Sequence, residues 1–229
     1  MTQEKEAKSK FIIDSEFIEP PEGLVVKNWV FDGEPLFKHK ERKHKLIHFV
    51  LHETAGRSAD GCKRTLLKKG YGVQLILERD GTISCHGDLL TDRMVHANHL
   101  NNTAIGIEVV NPYAPSIAKG MDFDTIPAEW WTWCPKIKGK KERDRRYVLP
   151  TEAQLKALSI LIPFLCEKLG IPYEFPTADL NKKNRKVKKT GWRMKRTPGP
   201  GVIAHQDFAT HADGRYLLEY LIKQTQLSE

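Results

Sequence analysis

The chain alternates apolar runs with polar, turn-forming stretches at spacings that suit both strands and helices. KLIHFVLHETAG (45–56) is rich in β-branched and aromatic residues and ends in a turn, which predicts a core strand. VQLILERDGTISCHG (73–87) holds two apolar runs around Asp80-Gly81, the pattern of a hairpin. TAIGIEVVN (103–111) and GVIAH (201–205) read as two further strands. Helices are predicted at SADGCKRTLLKK (58–69), capped by Ser58 or Asp60, and at DGRYLLEYLIKQ (213–224). The clearest helix is TEAQLKALSILIPFLCEKLG (151–170). Thr151 and Gln154 form a capping-box pattern, Leu155, Leu158, Ile162 and Leu165 line one face, and Gly170 stops it. Pro163 is expected to kink it.

Strands and helices mix with no internal repeat, so the predicted fold is α/β: one domain built on a mixed central β-sheet flanked by helices. Residues 1–42, with EPPEG at 19–23, read as an N-terminal arm packing on that domain. Residues 43–229 form the domain itself, with a long insert at about 112–150 that carries Trp130, Trp131 and Trp133.

Composition narrows the class. With 229 residues and 40% hydrophobic content the chain can bury a substantial core. No apolar run approaches the roughly 18–20 residues that span a bilayer. The N-terminus MTQEKEAKSKF is charged and lacks the apolar core of a signal peptide, so we expect synthesis in the cytoplasm without a cleaved leader. Cys62, Cys85, Cys134 and Cys166 form no CxxC pair and read as ordinary thiols.

The net charge of +8 is uneven. Residues 136–146 carry seven basic and two acidic side chains, and 182–196 carry nine basic and none acidic, leaving the remainder net acidic. Two such segments could attract a polyanion, including an acidic cell wall, or be solvated loops. No nucleic-acid motif accompanies them, and the acidic remainder speaks against a broad basic face, so nucleic acid is not an expected partner.

Candidate chemistry concentrates in VIAHQDFATHADG (202–214). A polar turn is the ordinary reading of such a loop. Catalytic zinc, however, needs N, O or S donors converging at about 2 Å with one position left open. His52 at the end of the first core strand, His205 at the end of GVIAH, and Asp213 form a plausible set. His48 shares a strand face with His52 but lies about 13 Å away along it, too far for the same ion. HFVLH also lacks the Glu of HExxH and sits in a strand. In TAIGIEVV, Ala104, Gly106 and Glu108 face away from Ile105, Ile107 and Val109, so small residues leave room beside a lone carboxylate that could act as a general base. A surface Glu on a half-exposed strand is the alternative.

FVLHETAG, LERDGTISCHGD, HANHLNNTAIGIE and IAHQDFATHADG occur in the order and approximate spacing of the type-2 N-acetylmuramoyl-L-alanine amidases. That family includes peptidoglycan recognition proteins and phage amidases, and the resemblance spans roughly residues 45–224. It implies a zinc-dependent amide hydrolase that separates the lactyl group of muramic acid from L-alanine. His52, His205 and Asp213 match the zinc ligands, Glu108 matches the catalytic carboxylate, and His96 and Asn101 match residues lining the substrate cleft. Where the family often places a Lys two residues before the last ligand, this chain has His211, which would then steady the oxyanion. Val73 and Gln74 stand where a His or Tyr is usual. The implied partner is peptidoglycan or a soluble muropeptide, met at the cell wall after release or export, and a monomer is expected. The rival readings are a muropeptide-binding module without catalysis and a zinc hydrolase acting on another peptide amide.

Overall fold

Apolar runs of the sequence become the strands of one sheet, and its amphipathic stretches become the helices laid on both faces. The computed structural model describes residues 9–30, 36–126, 146–178, 197–209 and 213–227, with the backbone alone at 185–188 and 191–194. The sheet contains β1 (Val25–Asn28), β2 (His48–Glu53), β3 (Leu75–Leu77), β4 (Thr82–Cys85), β5 (Ala104–Val109) and β6 (Gly201–Ala204). Their order is β6-β2-β5-β3-β4-β1. The first four in that order run parallel, whereas β4 returns antiparallel to β3 and pairs in parallel with β1. The sheet is therefore mixed, as expected.

The β3–β4 reversal falls at Asp80-Gly81. Asp80 Oδ1 accepts from the Thr82 N–H at 2.9 Å, and the Glu78 N–H donates to the Thr82 carbonyl at 2.8 Å. Helix α1 (Ala59–Lys69) begins where Ser58 Oγ accepts from the Gly61 N–H at 3.2 Å. Two more helices, α2 (Glu152–Leu169) and α3 (Arg215–Leu227), flank the sheet among the described residues.

Strand alternation sends the two side-chain sets to different layers. Phe49, Leu51, Ile105, Ile107 and Val109 join the buried residues of α2 and α3 in the main core. On the opposite face Cys62 and Leu66 of α1 pack against Val73, Ile76, Met94 and Val110. Val50, Ala104, Ile203, Leu100 and Phe208 form a third apolar cluster. The N-terminal segment is woven into this: Phe11 and Ile13 sit in the main core, and β1 is an edge strand of the sheet.

In α2 the capping box is complete, with Thr151 Oγ1 accepting from the Gln154 N–H and Gln154 Oε1 accepting from the Thr151 N–H. The Thr151 hydroxyl also donates to the Arg79 carbonyl at 2.6 Å, tying the helix start to the hairpin. The buried stripe runs through Gln154, Ala157, Leu158, Leu161, Ile162, Leu165 and Leu169, and Leu155 lies at its partly buried edge. The helix passes through Pro163 without ending. An interior proline costs about 3 kcal/mol, and burial of each Leu or Ile returns roughly 1.5–3 kcal/mol, so the apolar stripe outweighs it. Gln154 is buried because its amide donates to the Val110 carbonyl at 3.0 Å, where the parallel strands end.

Cys62, Cys85 and Cys166 are buried and free. Among the described residues no helix is long and apolar enough to cross a membrane. The tryptophan-bearing stretch 128–134 lies outside the described residues, as does nearly all of the first basic run. Of the second run only two short paired strands of backbone, Arg185–Lys188 and Gly191–Met194, are described.

Replacing Thr151 by Ala removes the cap and the tie to Arg79. The expected loss is about 1 kcal/mol of unfolding free energy at an unchanged urea m-value.

Candidate functional site

Two parallel pairings bring the candidate residues together. In the β2–β5 register His52 lies directly opposite Glu108, so both side chains leave the same face of neighbouring strands. In the β6–β2 register Ala204 lies opposite Leu51, which delivers His205, the next residue of the chain, beside His52. The imidazole rings of His52 and His205 are 4.4 Å apart between centroids.

Asp213 closes the group from the loop ahead of α3. Its Oδ1 and Oδ2 lie 3.0 and 3.1 Å from His205 Nδ1, and Oδ2 lies 3.6 Å from His52 Nδ1. One donor atom from each of the three residues falls within 4.8 Å of the others. Donors held about 2 Å from one ion at tetrahedral angles are roughly 3.4 Å apart, so two imidazole nitrogens and a carboxylate in this arrangement suit zinc.

The electrostatics fit a cation at the same place. Burial alone would raise the Asp213 pKa, but the charges and hydrogen bonds of His205 and His52 hold it far below the usual carboxylate range. Burial would lower the His205 pKa, and the charge and hydrogen bond of Asp213 reverse this, leaving it raised.

On either side of the donor loop the chain is held by its backbone and by a second carboxylate. Asp207 is fully buried and accepts from the Ala204 N–H at 3.1 Å and the Thr177 hydroxyl at 2.5 Å, with Arg215 Nη1 at 3.5 Å. It shapes the turn and stays out of the donor group. Gly214 has φ +81°, and a Cβ there would lie 2.1 Å from the Leu51 carbonyl oxygen. Only glycine lets the chain pass β2 so closely after Asp213.

Glu108 lines the same cleft, whose volume is about 610 Å³. Among the described residues its Oε2 is buried with no hydrogen-bond partner. Burial, with help from the charges of Asp213 and Glu53, pushes its pKa up to about 8, against a small opposing effect of Lys69. Raised this far, the group is mostly protonated at neutral pH in the ion-free protein.

His96 also faces the cleft, but its Nδ1 is engaged by His52 Nε2 at 3.1 Å. That contact leaves His52 Nδ1 directed at Asp213, the orientation that metal ligation by Nδ1 requires. Burial, and then the charges of His52 and His205, lower the His96 pKa well below its ordinary value. Asn101 borders the cleft while its Oδ1 accepts from the His96 and Ala97 N–H groups at 2.9 and 2.6 Å, fixing the turn that carries His96. The room beside Glu108 expected from Ala104 and Gly106 is already filled. A Cβ on Gly106 would lie 2.5 Å from His96 Nδ1, so this glycine makes space for that ring, and Ala104 packs in the third apolar cluster. His48 is apart from the group, with Nε2 3.3 Å from the Pro198 carbonyl and Nδ1 3.2 Å from the Thr103 hydroxyl. Gln74 bridges Gly106 and Asp92, its Oε1 accepting from the Gly106 N–H and its Nε2 donating to the Asp92 carbonyl. His211 lies outside the described residues.

One participant was not singled out in the sequence. Glu53, next to His52, is buried with Oε1 accepting from Asn111 Nδ2 at 2.8 Å and from the Tyr147 hydroxyl, and Oε2 accepting from the Gly214 N–H at 2.9 Å. Burial pushes its pKa up to about 7 against the lowering effect of those hydrogen bonds. The available signal was its phase: Phe49 and Leu51 face the core, and Glu53 ends that same side of β2.

The model of the Amidase_2 family, described as N-acetylmuramoyl-L-alanine amidase, matches residues 42–215. No curated protein sequence matches the chain. Among solved structures, N-acetylmuramoyl-L-alanine amidase LysC from Clostridium intestinale is 13% identical with a TM-score of 0.51, covering 89% of this chain and 97% of that one. The endolysin amidase LysCS from the same organism is 14% identical with a TM-score of 0.51, covering 90% and 97%. Drosophila peptidoglycan recognition protein SD is 13% identical with a TM-score of 0.48, covering 88% and 94%.

Gly106→Ala is expected to displace the His96 ring, destabilise the protein by about 1–3 kcal/mol and break the His52–His96 hydrogen bond. Changed imidazole nitrogen shifts of both residues would report it. In the ion-free protein the depressed Asp213 pKa adds stability that is present above about pH 4 and lost as pH falls through the folded value. The raised His205 pKa adds stability present below about pH 6.5 and lost as pH rises through its folded value. Thermal melts in chelator should therefore show a larger wild-type advantage over Asp213→Asn at about pH 5 than at about pH 9.

Proposed function

Because the chain belongs to the N-acetylmuramoyl-L-alanine amidase family, we propose that it is a zinc-dependent enzyme hydrolysing the amide between the muramic acid lactyl group and L-alanine. The observation that carries this reading is the convergence of His52, His205 and Asp213 on one point of the cleft that Glu108 also lines. Those three residues would hold zinc. When bound, the ion supplies Lewis acidity, polarising the scissile carbonyl and making water a better nucleophile near neutral pH.

The chain's own residues do the rest. Glu108 takes a proton from the attacking water as its oxygen bonds to the carbonyl carbon. It then gives that proton to the L-alanine nitrogen as the C–N bond breaks, releasing an amine and a lactyl carboxylic acid, whose remaining proton passes to solvent. Burial lifts this carboxyl to about 8 in the ion-free protein, and the charge of a bound cation would lower it toward neutrality, where one group can serve both transfers. His52 is oriented by His96, and His96 by the turn that Asn101 fixes. His211, two residues before Asp213, is assigned to the oxyanion, where one well-placed donor is worth about 3–4 kcal/mol. Peptidoglycan is the proposed substrate and the cell wall the place of action.

Purified protein incubated with sacculi should release free stem peptide, stop when chelator is added and recover with zinc. Glu108→Gln should keep zinc while losing at least about 100-fold in rate. Muropeptide binding by a protein that releases no peptide in any condition would instead establish a recognition module.

A further inference from the structure

Asp213 is the donor delivered by a loop; His52 and His205 come from a strand and a strand end. What holds the Asp213 backbone is therefore decisive for the site. Its carbonyl accepts from the Gln206 N–H at 3.1 Å. On its other side the Gly214 N–H points into the fold and donates to Glu53 Oε2 at 2.9 Å. Asn111 Nδ2 holds Oε1 and by itself keeps Glu53 from swinging away, and the Tyr147 hydroxyl is a second donor to the same oxygen. The side chain spans from one strand end to the peptide unit joining Asp213 to Gly214, and both of its oxygens act as acceptors.

We infer that Glu53 is a positioning residue, whose carboxylate fixes the Asp213–Gly214 peptide and so sets the Asp213 oxygens at the distance from His52 and His205 that an ion requires. This rests on the zinc reading above, though the hydrogen bond itself does not. A carboxylate is needed for a simple reason: Oε1 serves two donors and Oε2 a third, and all three partners offer hydrogens. Glutamine has one acceptor oxygen. Turned to serve Asn111 and Tyr147, it presents an NH2 group to the Gly214 N–H and loses that bond.

The test uses the full chain, with zinc affinity measured by competition with a chelating dye and with Gly214 amide exchange followed in the metal-free protein. Glu53→Gln should weaken zinc binding roughly 10–100-fold and speed exchange of the Gly214 amide at least about tenfold. Tyr147→Phe removes a different bond to the same carboxylate and leaves the Gly214 contact, so both readouts should stay within about threefold of wild type. The inference is overturned if Glu53→Gln binds zinc as wild type does, or if Tyr147→Phe weakens zinc equally, since Glu53 would then only support the packing. If Glu53→Gln does not fold, Glu53→Asp, whose shorter arm withdraws from Gly214, is read by the same criteria. Should the wild-type protein bind no zinc, the zinc reading falls alone and the exchange result decides: unchanged Gly214 exchange in Glu53→Gln rejects the role, and faster exchange upholds it.

Discussion

The register of three parallel strands is the constraint on which the rest of this molecule depends. β5 places Glu108 opposite His52, and β6 ends opposite Leu51, so His205 emerges next to the same point. A slip of one residue in either pairing would turn a whole strand over, because strand side chains alternate with period two. Burial of Phe49, Leu51, Ile105, Ile107 and Val202 beneath α2 and α3 makes such a slip expensive. The apolar face therefore enforces the position of the polar one, and the site inherits its rigidity from the core.

Four carboxylates are gathered within this small region, and each is accommodated differently. Asp213 stays ionised between two imidazoles. Asp207 spends its oxygens on a backbone N–H, a threonine hydroxyl and Arg215, and the turn it shapes carries His205. Glu53 accepts three hydrogen bonds. Glu108 is the exception, with a buried oxygen that no described residue satisfies. An acceptor left unsatisfied in this way costs about 1–3 kcal/mol.

Backbone strain gathers at the same place. Ala55, Asn98 and Tyr113 all adopt positive φ, at 50°, 51° and 40°, and all three line the cleft. Non-glycine residues in that region cost of order 1–3 kcal/mol each. They border a cleft whose floor is the regular sheet, an arrangement in which irregular loops supply shape and the strands supply precision.

Much of this was written in one dimension. The alternation in TAIGIEVV, the Asp80-Gly81 turn and the Thr151–Gln154 box are local patterns, each depending on residues only a few positions apart, and each appears in the fold where it was expected. The separation of His48 from His52 also followed from strand rise alone. The partnerships across the chain were decided by tertiary structure. That Gly106 exists to admit the His96 ring, that Asn101 serves the turn that carries His96, and that Glu53 reaches Gly214 across 161 positions depend on strand order and on which loops meet, which no local period encodes. Residue types and spacing specified the strands and the candidate donors; packing of the sheet against its helices determined which of them meet.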